Sequence, residues 1–559
     1  MSLLSADSCE FSIASTWNRP PSWYRRYREW DYVGSRVADY VIVGAGSAGC
    51  VLAETLSARH SVTLIEAGGS DRIPEVAVPA AYSKLFRSDR DWAYSTEPEP
   101  GALGRRLFLP RGKMLGGSSS LNAQLYIRGR PSDYDGWAEL GATGWDWKSV
   151  LPVFVRMENN TRGPSLSHGN SGPMLVTDQR SINPLSRRFV TAAIAAGIGA
   201  NPDFNDGYQT GVGYFQVTQK RGRRWSAADA FLRPALRRPT LRLVTGTTVT
   251  KVVIANGRAV GVEGLSGGRP QLFRAEAEVI LACGTFGTPH LLQLSGVGDP
   301  DHLQALGIEV SVENRNVGEN LQDHPAVAVI YDSLLGGTLD DAENPAEMAR
   351  WAMFRRGRLT SPVAEAAAFV KSSDERDEPD LQFHFGPVNF ENHGMEPYDG
   401  HGFSIGPVLI TPESRGSVKA KSADPRQHPA IVTNSLTEPT DLEALISGVE
   451  VAREIAAQNP LAQARGAELH PGPEVPDLEH FVRSRMELLY HPVGTCRMGS
   501  DDDSVVDPQL RARGIEGLRI IDASVMPKII SGNTNAPTMM IAARGAELIL
   551  GQTSNGNSS

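Results

Sequence analysis

The chain has 559 residues, of which 40% are hydrophobic and 21% are charged, as in a folded globular protein. This length exceeds what one hydrophobic core usually supports, so we expect two closely joined domains. The formal net charge is −9. An acidic chain argues against nucleic acid as the main partner, because phosphate binding requires clustered Lys and Arg. No apolar run reaches the roughly 18 residues of a membrane-spanning helix.

The cysteines and the two chain ends favour a cytoplasmic protein. The four cysteines, Cys9, Cys50, Cys283 and Cys496, are too widely spaced for a zinc motif, so we expect a reducing compartment and no metal site. Residues 1–37 contain the run WNRPPSWYRRYREWDY, which predicts either a surface-packed extension or a contact with a partner or membrane surface. Its arginine pair lacks the apolar stretch of an export signal. Residues 551–559 are typical of a frayed tail.

The first patterned segment predicts a nucleotide-binding strand, turn and helix. Asp39–Val43 has the pattern of a buried strand, Cys50–Ala58 that of a helix, and Ser61–Ile65 that of a second strand. Between the first strand and the helix lies GAGSAG, a GxGxxG turn in the context that binds a dinucleotide pyrophosphate. The motif alone does not separate FAD from NAD.

Each conspicuous residue of this turn has a predicted task. Gly44 permits the tight turn, Gly46 lets the backbone approach the pyrophosphate, and Gly49 lets helix and strand pack closely. Glu66 follows Gly49 by 66 − 49 = 17 residues, near the spacing of a carboxylate that binds ribose hydroxyls.

Three later segments have predictive patterns. Arg111–Asn122 (RGKMLGGSSSLN) combines adjacent glycines with serines and an asparagine, which suits backbone contact with a flat ligand; an ordinary surface loop is the alternative. Asp380–Phe385 alternates like a half-buried strand. Asp441–Ala457 has apolar residues at i, i+3 and i+4, which predicts an amphipathic helix packed on a core.

Four separated blocks of sequence resemble the glucose–methanol–choline (GMC) oxidoreductase family. The blocks are VIVGAGSAG with LIEAG, RGKMLGGSSSLNAQLYIRG, GTFGTPHLLQLSGVG, and YHPVGTCRMG with the final IIDASVMPKIISGNTNAPTMM segment. They occur in family order and span residues 39–550, nearly the whole chain. They do not separate the branches of the family that oxidise choline, hydroxymethylfurfural or pyridoxine.

The resemblance implies an α/β fold, α+β overall, in which a Rossmann-like FAD-binding domain is roofed by an antiparallel-sheet substrate domain. The resemblance divides the chain into three FAD-binding parts and two substrate-domain parts. In chain order the segments are an N-terminal extension 1–37, the first FAD-binding part 38–165, a substrate-domain excursion 166–214, the second FAD-binding part 215–317, the main substrate-binding part 318–486, the third FAD-binding part 487–550, and the tail 551–559.

The resemblance also implies FAD contacts. Some relatives attach FAD through a histidine at the position of Leu121, which cannot form that bond, so we expect non-covalent FAD. The expected cofactor-binding residues are Gly44, Gly46, Ser47, Ala48, Gly49, Glu66, Ala67, Met114, Gly116, Asn122, Ala123, Gln124, Leu125, Val249, Asp522, Ala523 and Asn535.

Alcohol oxidation requires a base near neutral pH, a role suited to histidine. Of the twelve histidines, His491 occupies the position of the family's catalytic histidine. The family's second catalytic position is a histidine or asparagine before the last helix, and here it falls on Asn533 or, with a shifted register, Asn535. We expect Asn533 to orient the alcohol and Asn535 to lie beside the flavin, with helix capping as the alternative for either residue.

Eight of the remaining histidines fall into three groups. His384 and His401 are weaker candidates for the pocket. His324 belongs to a family motif, LQDHP, that is not catalytic. Polar or turn-like contexts place five others outside the site: His60, His168, His428, His470 and His480.

The predicted function is FAD-dependent oxidation of a primary alcohol to an aldehyde, with molecular oxygen or an electron carrier as the open choice of final acceptor. The alternatives are a lyase of the same fold and a catalytically silent flavoprotein. Choline as a substrate would require a carboxylate or an aromatic box, for which Glu365 and Tyr490 are available, but neutral alcohols are favoured.

Overall fold

The structure, a computed structural model, describes residues 36–475 and 477–551. Cys9, the predicted extension 1–37 apart from its last two residues, and the predicted tail beyond residue 551 lie outside the described residues. In the described ranges, no helix is long and apolar enough to cross a membrane. The three cysteines of those ranges, Cys50, Cys283 and Cys496, are free thiols.

The first sheet has a parallel core of buried, β-branched strands. Val41 and Ile42 are fully buried at its centre, as expected for strands covered on both faces. The parallel strands lie in the order Leu241–Val244, Val62–Ile65, Arg36–Val43, Arg269–Leu281 and Leu518–Ile520. This order, in which the first chain segment lies centrally, is that of a Rossmann-like sheet.

The strand Arg269–Leu281 also joins this core to an antiparallel meander. Its first half pairs with Arg258–Ser266, which in turn pairs with Thr247–Ala255. The pairing register of that outer strand shifts between Val249 and Lys251, so the backbone is irregular at this point.

Two helices from opposite ends of the chain meet beside this sheet. The helix Ser47–Leu56 follows the glycine turn, and the C-terminal helix Asn535–Ile549 packs against it. The last block of the sequence therefore lies next to the nucleotide-binding turn.

The second sheet has eight strands, and every pairing in it is antiparallel. Its main path runs through Arg465–His470, Val329–Ser333, Gly402–Leu409, Leu381–Gly386, Ala366–Val370 and Gly211–Tyr214, and the short strands Pro325–Ala326 and Glu487–Leu488 pair beside it. The last of these strands lies just beyond residue 486, where we expected the substrate-binding part to end. The expected fold class is confirmed: an α/β nucleotide domain with an antiparallel substrate sheet.

Helices cover one face of the second sheet. The predicted amphipathic helix is confirmed as Pro439–Ala457, and Leu445 and Val449 bury its apolar stripe. The strand Leu381–Gly386 is buried on both faces rather than on one, since even Gln382 is fully buried. The expectation of a half-buried strand was therefore wrong, because a cavity wall covers the face that the helices leave free.

Shorter elements connect these layers. The other helices are Pro74–Ala77, Pro131–Glu139, Trp147–Met157, Pro184–Ala195, Arg233–Ala235, Gly284–Leu294, Pro300–Ala305, Pro345–Phe354 and Leu478–Arg485. The short strand pairs are Tyr94–Ser95 with Phe108–Leu109, Glu158–Asn160 with Met174–Val176, Gln219–Lys220 with Arg223–Arg224, Val297–Gly298 with Val312–Glu313, and Ser417–Lys419 with Ala430–Val432.

Candidate active site

A cavity of about 1120 Å³ separates the two sheets. Its wall includes the glycine turn after the first strand, and on the opposite side it includes strands of the antiparallel sheet. A typical pocket for one small ligand has roughly 300–1,000 Å³. The cavity therefore has room for a dinucleotide together with a small substrate.

The glycine turn leaves space for a phosphate group. A Cβ atom added to Gly46 would meet only Gly117 Cα, at 3.9 Å, so this face of the turn is open. A Cβ on Gly49 would instead come within 1.8 Å of Gly44 O, so Gly49 is required for packing. The helix that starts at Ser47 has no side-chain cap, and its first N–H groups point to the space that an anion would fill.

Glu66 links the turn to the next strand. Its carboxylate accepts hydrogen bonds from the backbone N–H of Ala45 at 2.9 Å and of Gly68 at 2.8 Å, while Glu66 and Ala67 line the cavity. A carboxylate has about four acceptor positions, so capacity remains for a ribose hydroxyl. Val249 also lines the cavity, at the irregular point of its strand.

The second glycine cluster packs directly on the first. Gly116 N donates to Ala45 O at 2.8 Å, and a Cβ on Gly117 would lie 2.7 Å from Gly46 Cα. The surface-loop alternative for this cluster is therefore wrong, because its backbone forms part of the cavity wall.

Most of the residues predicted from this cluster line the cavity, and two do not. The four consecutive residues Asn122, Ala123, Gln124 and Leu125 line it, as does Leu121. Met114 is fully buried in an apolar cluster behind the wall, and Gly116 is not part of the lining. The Met114 side chain packs with Tyr82 and Phe86 in that cluster, while the backbone beside it, at Gly112 and Lys113, lines the cavity.

His491 and Asn533 are brought together in the cavity wall. Asn533 Nδ2 lies 3.2 Å from His491 Nε2, and His491 Nδ1 lies 3.0 Å from His324 Nδ1. Gln382 Nε2 donates to Asn533 Oδ1 at 3.4 Å. With its oxygen so occupied, Asn533 donates from Nδ2, so His491 Nε2 accepts and Nδ1 carries the hydrogen that is donated to His324.

Burial keeps these imidazoles neutral. The pKa of His491 lies well below its ordinary value because burial disfavours the charged ring, with smaller effects from His324 and His384. Burial likewise lowers the pKa of His324 to about 3 and that of His384 to about 4. At neutral pH, His491 Nε2 is therefore unprotonated; its lone pair accepts from Asn533 in this structure and can take the proton of a hydroxyl bound between the two side chains.

Asp323, which the sequence analysis did not single out, holds the backbone of both histidines. Its Oδ1 accepts from His324 N at 2.8 Å and from His491 N at 2.7 Å. Burial raises the pKa of Asp323 to about 7, although the nearby Arg111 guanidinium acts in the opposite direction. Its place directly before His324 in the LQDHP block was the only sequence signal for it.

The end of the chain supplies the remaining predicted residues. Asp522 and Ala523 line the cavity, and Asp522 Oδ2 accepts from Gly284 N at 2.9 Å and from Thr288 Oγ1 at 2.6 Å. Asn535 is the first residue of the last helix and accepts a hydrogen bond from Ser47 Oγ at 2.7 Å. Neither asparagine caps this helix through its side chain.

The other histidines are distributed differently from the expectation. His428 and His470 line the cavity, as does the weaker candidate His384, whereas His401 does not and bonds Thr338 Oγ1. Polar or turn-like sequence contexts therefore failed to exclude pocket residues, because His428 lies in a loop of the cavity wall and His470 ends the strand Arg465–His470 beside it.

Glu365 and Tyr490, the two residues considered from the sequence for binding choline, do not lie together in the cavity. Tyr490 lines the cavity and bonds His393, but Glu365 is not part of the lining. The Glu365 carboxylate is 2% exposed and is occupied by Asn183 N, Ser186 Oγ and Ser361 Oγ. The residue is a buried link between segments of the second domain.

A Rossmann-like sheet, an open glycine turn and a neutral histidine in one cavity are typical of a nucleotide-dependent oxidoreductase. Two models of the GMC oxidoreductase family match residues 38–326 and 412–542. The chain is 44% identical to an alcohol dehydrogenase [acceptor] of Pseudomonas putida, covering 92% of this chain and 95% of that protein. It is 42% identical to an oxygen-dependent choline dehydrogenase of Rhizobium rhizogenes, covering 92% and 96%.

Solved structures agree with these relatives. The pyridoxine 4-oxidase from Mesorbium loti superposes with a TM-score of 0.84 at 30% identity, covering 91% of this chain and 98% of that one. This protein belongs to the GMC oxidoreductase family. The open glycine turn and the size of the cavity fit the family's FAD cofactor.

Proposed function

We propose that this protein oxidises a primary alcohol to an aldehyde, with FAD as cofactor and His491 as the base. The observation that carries the proposal is the pairing of a neutral His491 with the Asn533 amide, in the same cavity as the dinucleotide turn. Bound FAD would supply the acceptor, flavin N5, for the hydride that leaves the alcohol carbon.

The two side chains divide the handling of the hydroxyl group. A hydroxyl oxygen placed between them accepts a hydrogen bond from Asn533 Nδ2 and donates its proton to His491 Nε2. His324 accepts from the opposite ring nitrogen, which keeps the lone pair of Nε2 directed at the substrate. Asn533 cannot itself be the base, because an amide does not take up a proton near neutral pH.

The residues around the cavity suit the parts of FAD in order. The backbone at Gly46, Ser47 and Ala48 suits the pyrophosphate, Glu66 the ribose, and Val249 the adenine. The flavin end is suited by the segment Asn122 to Leu125 and by Asp522 with Ala523. Asn535 lies beside that end in the same wall.

The mode of FAD attachment is a separate proposal. Leu121 lines the cavity where some relatives have a histidine, and its side chain has no atom that bonds covalently to flavin. We therefore expect acid precipitation to release all the flavin into the supernatant. Flavin that stays with the precipitated chain would contradict non-covalent binding.

The substrate is a neutral alcohol rather than choline in this proposal. Glu365, the carboxylate considered for a cationic substrate, lies outside the cavity, and its oxygens already accept hydrogen bonds from Asn183, Ser186 and Ser361. We propose a cytoplasmic location on the basis of the free thiols. Molecular oxygen or a separate electron carrier then reoxidises the flavin.

An alcohol panel tests the proposal. The holoprotein is mixed anaerobically with primary alcohols, and flavin absorbance is followed in the stopped-flow. Bleaching by at least one alcohol is expected, whereas a lyase or a silent flavoprotein would not bleach.

His491→Ala should keep FAD and lose about 10²–10⁴-fold in the rate of bleaching. A loss below about tenfold would assign the base to another group. Reoxidation with oxygen and with an artificial acceptor separates oxidase from dehydrogenase.

A further inference from the structure

A β-bulge carries His491 into the cavity wall. Before the bulge, the strand Glu487–Leu488 pairs with Pro325–Ala326, and after it Val493 pairs with Gln322. The gap between these pairs spans four residues on the strand that contains His491 and two on its partner. Two extra residues therefore leave the ladder, and a bulge of this kind redirects side chains beside an active site.

The bulge places three consecutive residues in the cavity wall, namely Tyr490, His491 and Pro492. Tyr490 has a left-handed backbone with φ of +65°, which is rare for a bulky side chain and persists where surrounding contacts determine it. His491 N donates to Asp323 Oδ1 at 2.7 Å, and Thr285 Oγ1 donates to Pro492 O at 2.7 Å. These two residues of the bulge are thus held through their backbone, and Tyr490 is held through its hydroxyl group.

The hydroxyl group of Tyr490 contacts His393. Tyr490 OH lies 2.5 Å from His393 Nδ1, and His393 Nε2 lies 3.6 Å from Glu487 Oε2. Glu487 accepts in turn from Arg105 Nη1 at 2.9 Å. Burial, with smaller effects from Arg87 and Arg105, lowers the pKa of His393 to about 4, so its ring is neutral at neutral pH. A neutral ring that directs Nε2–H to the carboxylate accepts the hydroxyl hydrogen of Tyr490 at Nδ1.

The loop that carries His393 is itself constrained. Asn392 and His393 both have left-handed backbones, with φ of +46° and +62°. His393 is 6% exposed, and the centroid of its ring lies 5.4 Å from that of Phe108. Glu391, just before this pair, accepts from Arg485 Nη1 at 2.8 Å. The contacts of this loop therefore hold the imidazole of His393 in one place.

We propose that His393 is a positioning residue, which fixes the bulge, and hence the imidazole of His491, through the hydroxyl group of Tyr490. The inference rests on the proposed function, in which His491 is the base. Without the contact to His393, the left-handed backbone at Tyr490 has one constraint fewer, and the bulge can relax toward a regular strand. Because a misplacement of about 1 Å at a reacting group can cost roughly 10²-fold in rate, a small relaxation is measurable.

Three variants of the holoprotein test this inference by the limiting rate of anaerobic flavin reduction. Tyr490→Phe keeps the ring and removes the hydroxyl group, and His393→Gly tolerates the left-handed backbone and removes the acceptor. We expect each to lower the rate roughly tenfold, with bound FAD and the apparent affinity for the alcohol little changed. His393→Asn also tolerates this backbone and offers an amide oxygen near the place of Nδ1, so it should restore most of the rate.

A double variant and a matched control complete the set. Tyr490→Phe combined with His393→Gly should be no slower than the slower single variant, because both remove the same contact. Tyr331→Phe is the control, since the Tyr331 hydroxyl also donates within the protein, to Glu468 Oε2 at 2.9 Å, while Tyr331 is not part of the cavity lining. Its rate per bound flavin should equal that of the parent protein.

Crystal structures of the parent and Tyr490→Phe holoproteins give a readout that needs no substrate. The distance between His491 Nε2 and Asn533 Nδ2 is 3.2 Å here, and in the variant it should change by more than about 0.5 Å, the tolerance of a working site. An unmoved His491 ring would overturn the inference. So would losses that multiply in the double variant, or a His393→Asn protein as slow as His393→Gly. If no alcohol reduces the parent flavin, the proposed function fails, and the two crystal structures alone decide whether His393 positions the ring.

Discussion

The imidazole of His491 contacts Asn533 at Nε2 and His324 at Nδ1, and substitution of His324 tests whether the second contact positions the ring. His324 is fully buried and accepts from His491 Nδ1 at 3.0 Å. His324→Ala should lower the rate of flavin reduction roughly 5- to 150-fold, because the ring loses a bond of about 1–3 kcal/mol that holds its tautomer. Stopped-flow reduction, normalised to bound FAD, is the measurement.

A conservative variant separates positioning by His324 from packing. In His324→Asn, the amide oxygen takes a place close to that of the ring Nδ1, and most of the activity should return. The pH profile of reduction should shift in the alanine variant and stay near that of the parent in the asparagine variant. Equal loss in both variants, with unchanged pH profiles, would show that His324 only fills space.

Asn533 and Asn535 should differ in what they affect. Asn533 Nδ2 faces His491, so Asn533→Ala removes a hydrogen bond to the reacting oxygen and should cost roughly 5- to 150-fold in reduction, with FAD content unchanged. Asn535 bonds Ser47 at the start of the dinucleotide helix, so Asn535→Ala should instead lower FAD affinity or alter the flavin spectrum. Slower reduction in Asn535→Ala with normal Asn533→Ala would exchange the two roles.

Individual residues of the catalytic site could be predicted from the sequence only where a family motif carries the role. His491 and the Asn533/Asn535 pair were predicted, and they do lie on the cavity wall. The partner of His491, His324, is 167 residues away in the chain, and no local pattern reports that contact. Glu365 was considered as a carboxylate for a cationic substrate, yet its oxygens bond the segment 183–186 and Ser361, and the contact with the distant segment is not visible in the local sequence.

Among elements, the dinucleotide turn offers a matched pair of glycines. Gly46 has extended backbone angles that any residue adopts, and its added Cβ meets nothing closer than 3.9 Å. Gly46→Val should therefore fold, yet contain little FAD, because the side chain fills the phosphate space. The flavin-to-protein ratio and circular dichroism of the purified variant are the measurements.

Gly49→Ala provides the contrast. Its Cβ would lie 1.8 Å from Gly44 O, so the helix and strand would have to separate, and expression or thermal stability should fall. A Gly46→Val protein with full flavin would contradict the assignment of the pyrophosphate site. Loss of folding in Gly46→Val, with Gly49→Ala intact, would reverse the two tasks.

Sequence periodicity predicted whether a segment is a helix or a strand more reliably than it predicted how deeply that element is buried. The first helix was expected at Cys50–Ala58 and runs over Ser47–Leu56, because an uncapped turn lets it begin at the glycines. The helix in the second domain was predicted within two residues of its start. Burial of Leu381–Gly386 on both faces depends on a cavity formed by distant segments, which a pattern within one strand does not report.

At the scale of the whole molecule, a buried ionic network links four separated positions of the chain, from residue 128 to residue 203. His168 lies between Glu158 and Asp203, with ring nitrogens 3.0 Å from a carboxylate oxygen of each, and Arg128 pairs with Glu158 in full burial. Burial opposes the charge on His168, but the hydrogen bonds to Asp203 and Glu158 outweigh it and raise the pKa to about 9. The raised pKa favours the protonated form of His168 in the folded protein at neutral pH.

The sign of the resulting pH dependence is fixed by the raised pKa of His168. The stabilisation is fully present below the ordinary pKa of 6.5 and is lost as pH rises through about 9. His168→Gln should lower the free energy of unfolding by about 1–3 kcal/mol near pH 6, and the difference from the parent protein should shrink near pH 10. Urea unfolding of FAD-saturated proteins across this range is the measurement. A difference that stays constant with pH would show that His168 stabilises the fold as a neutral ring.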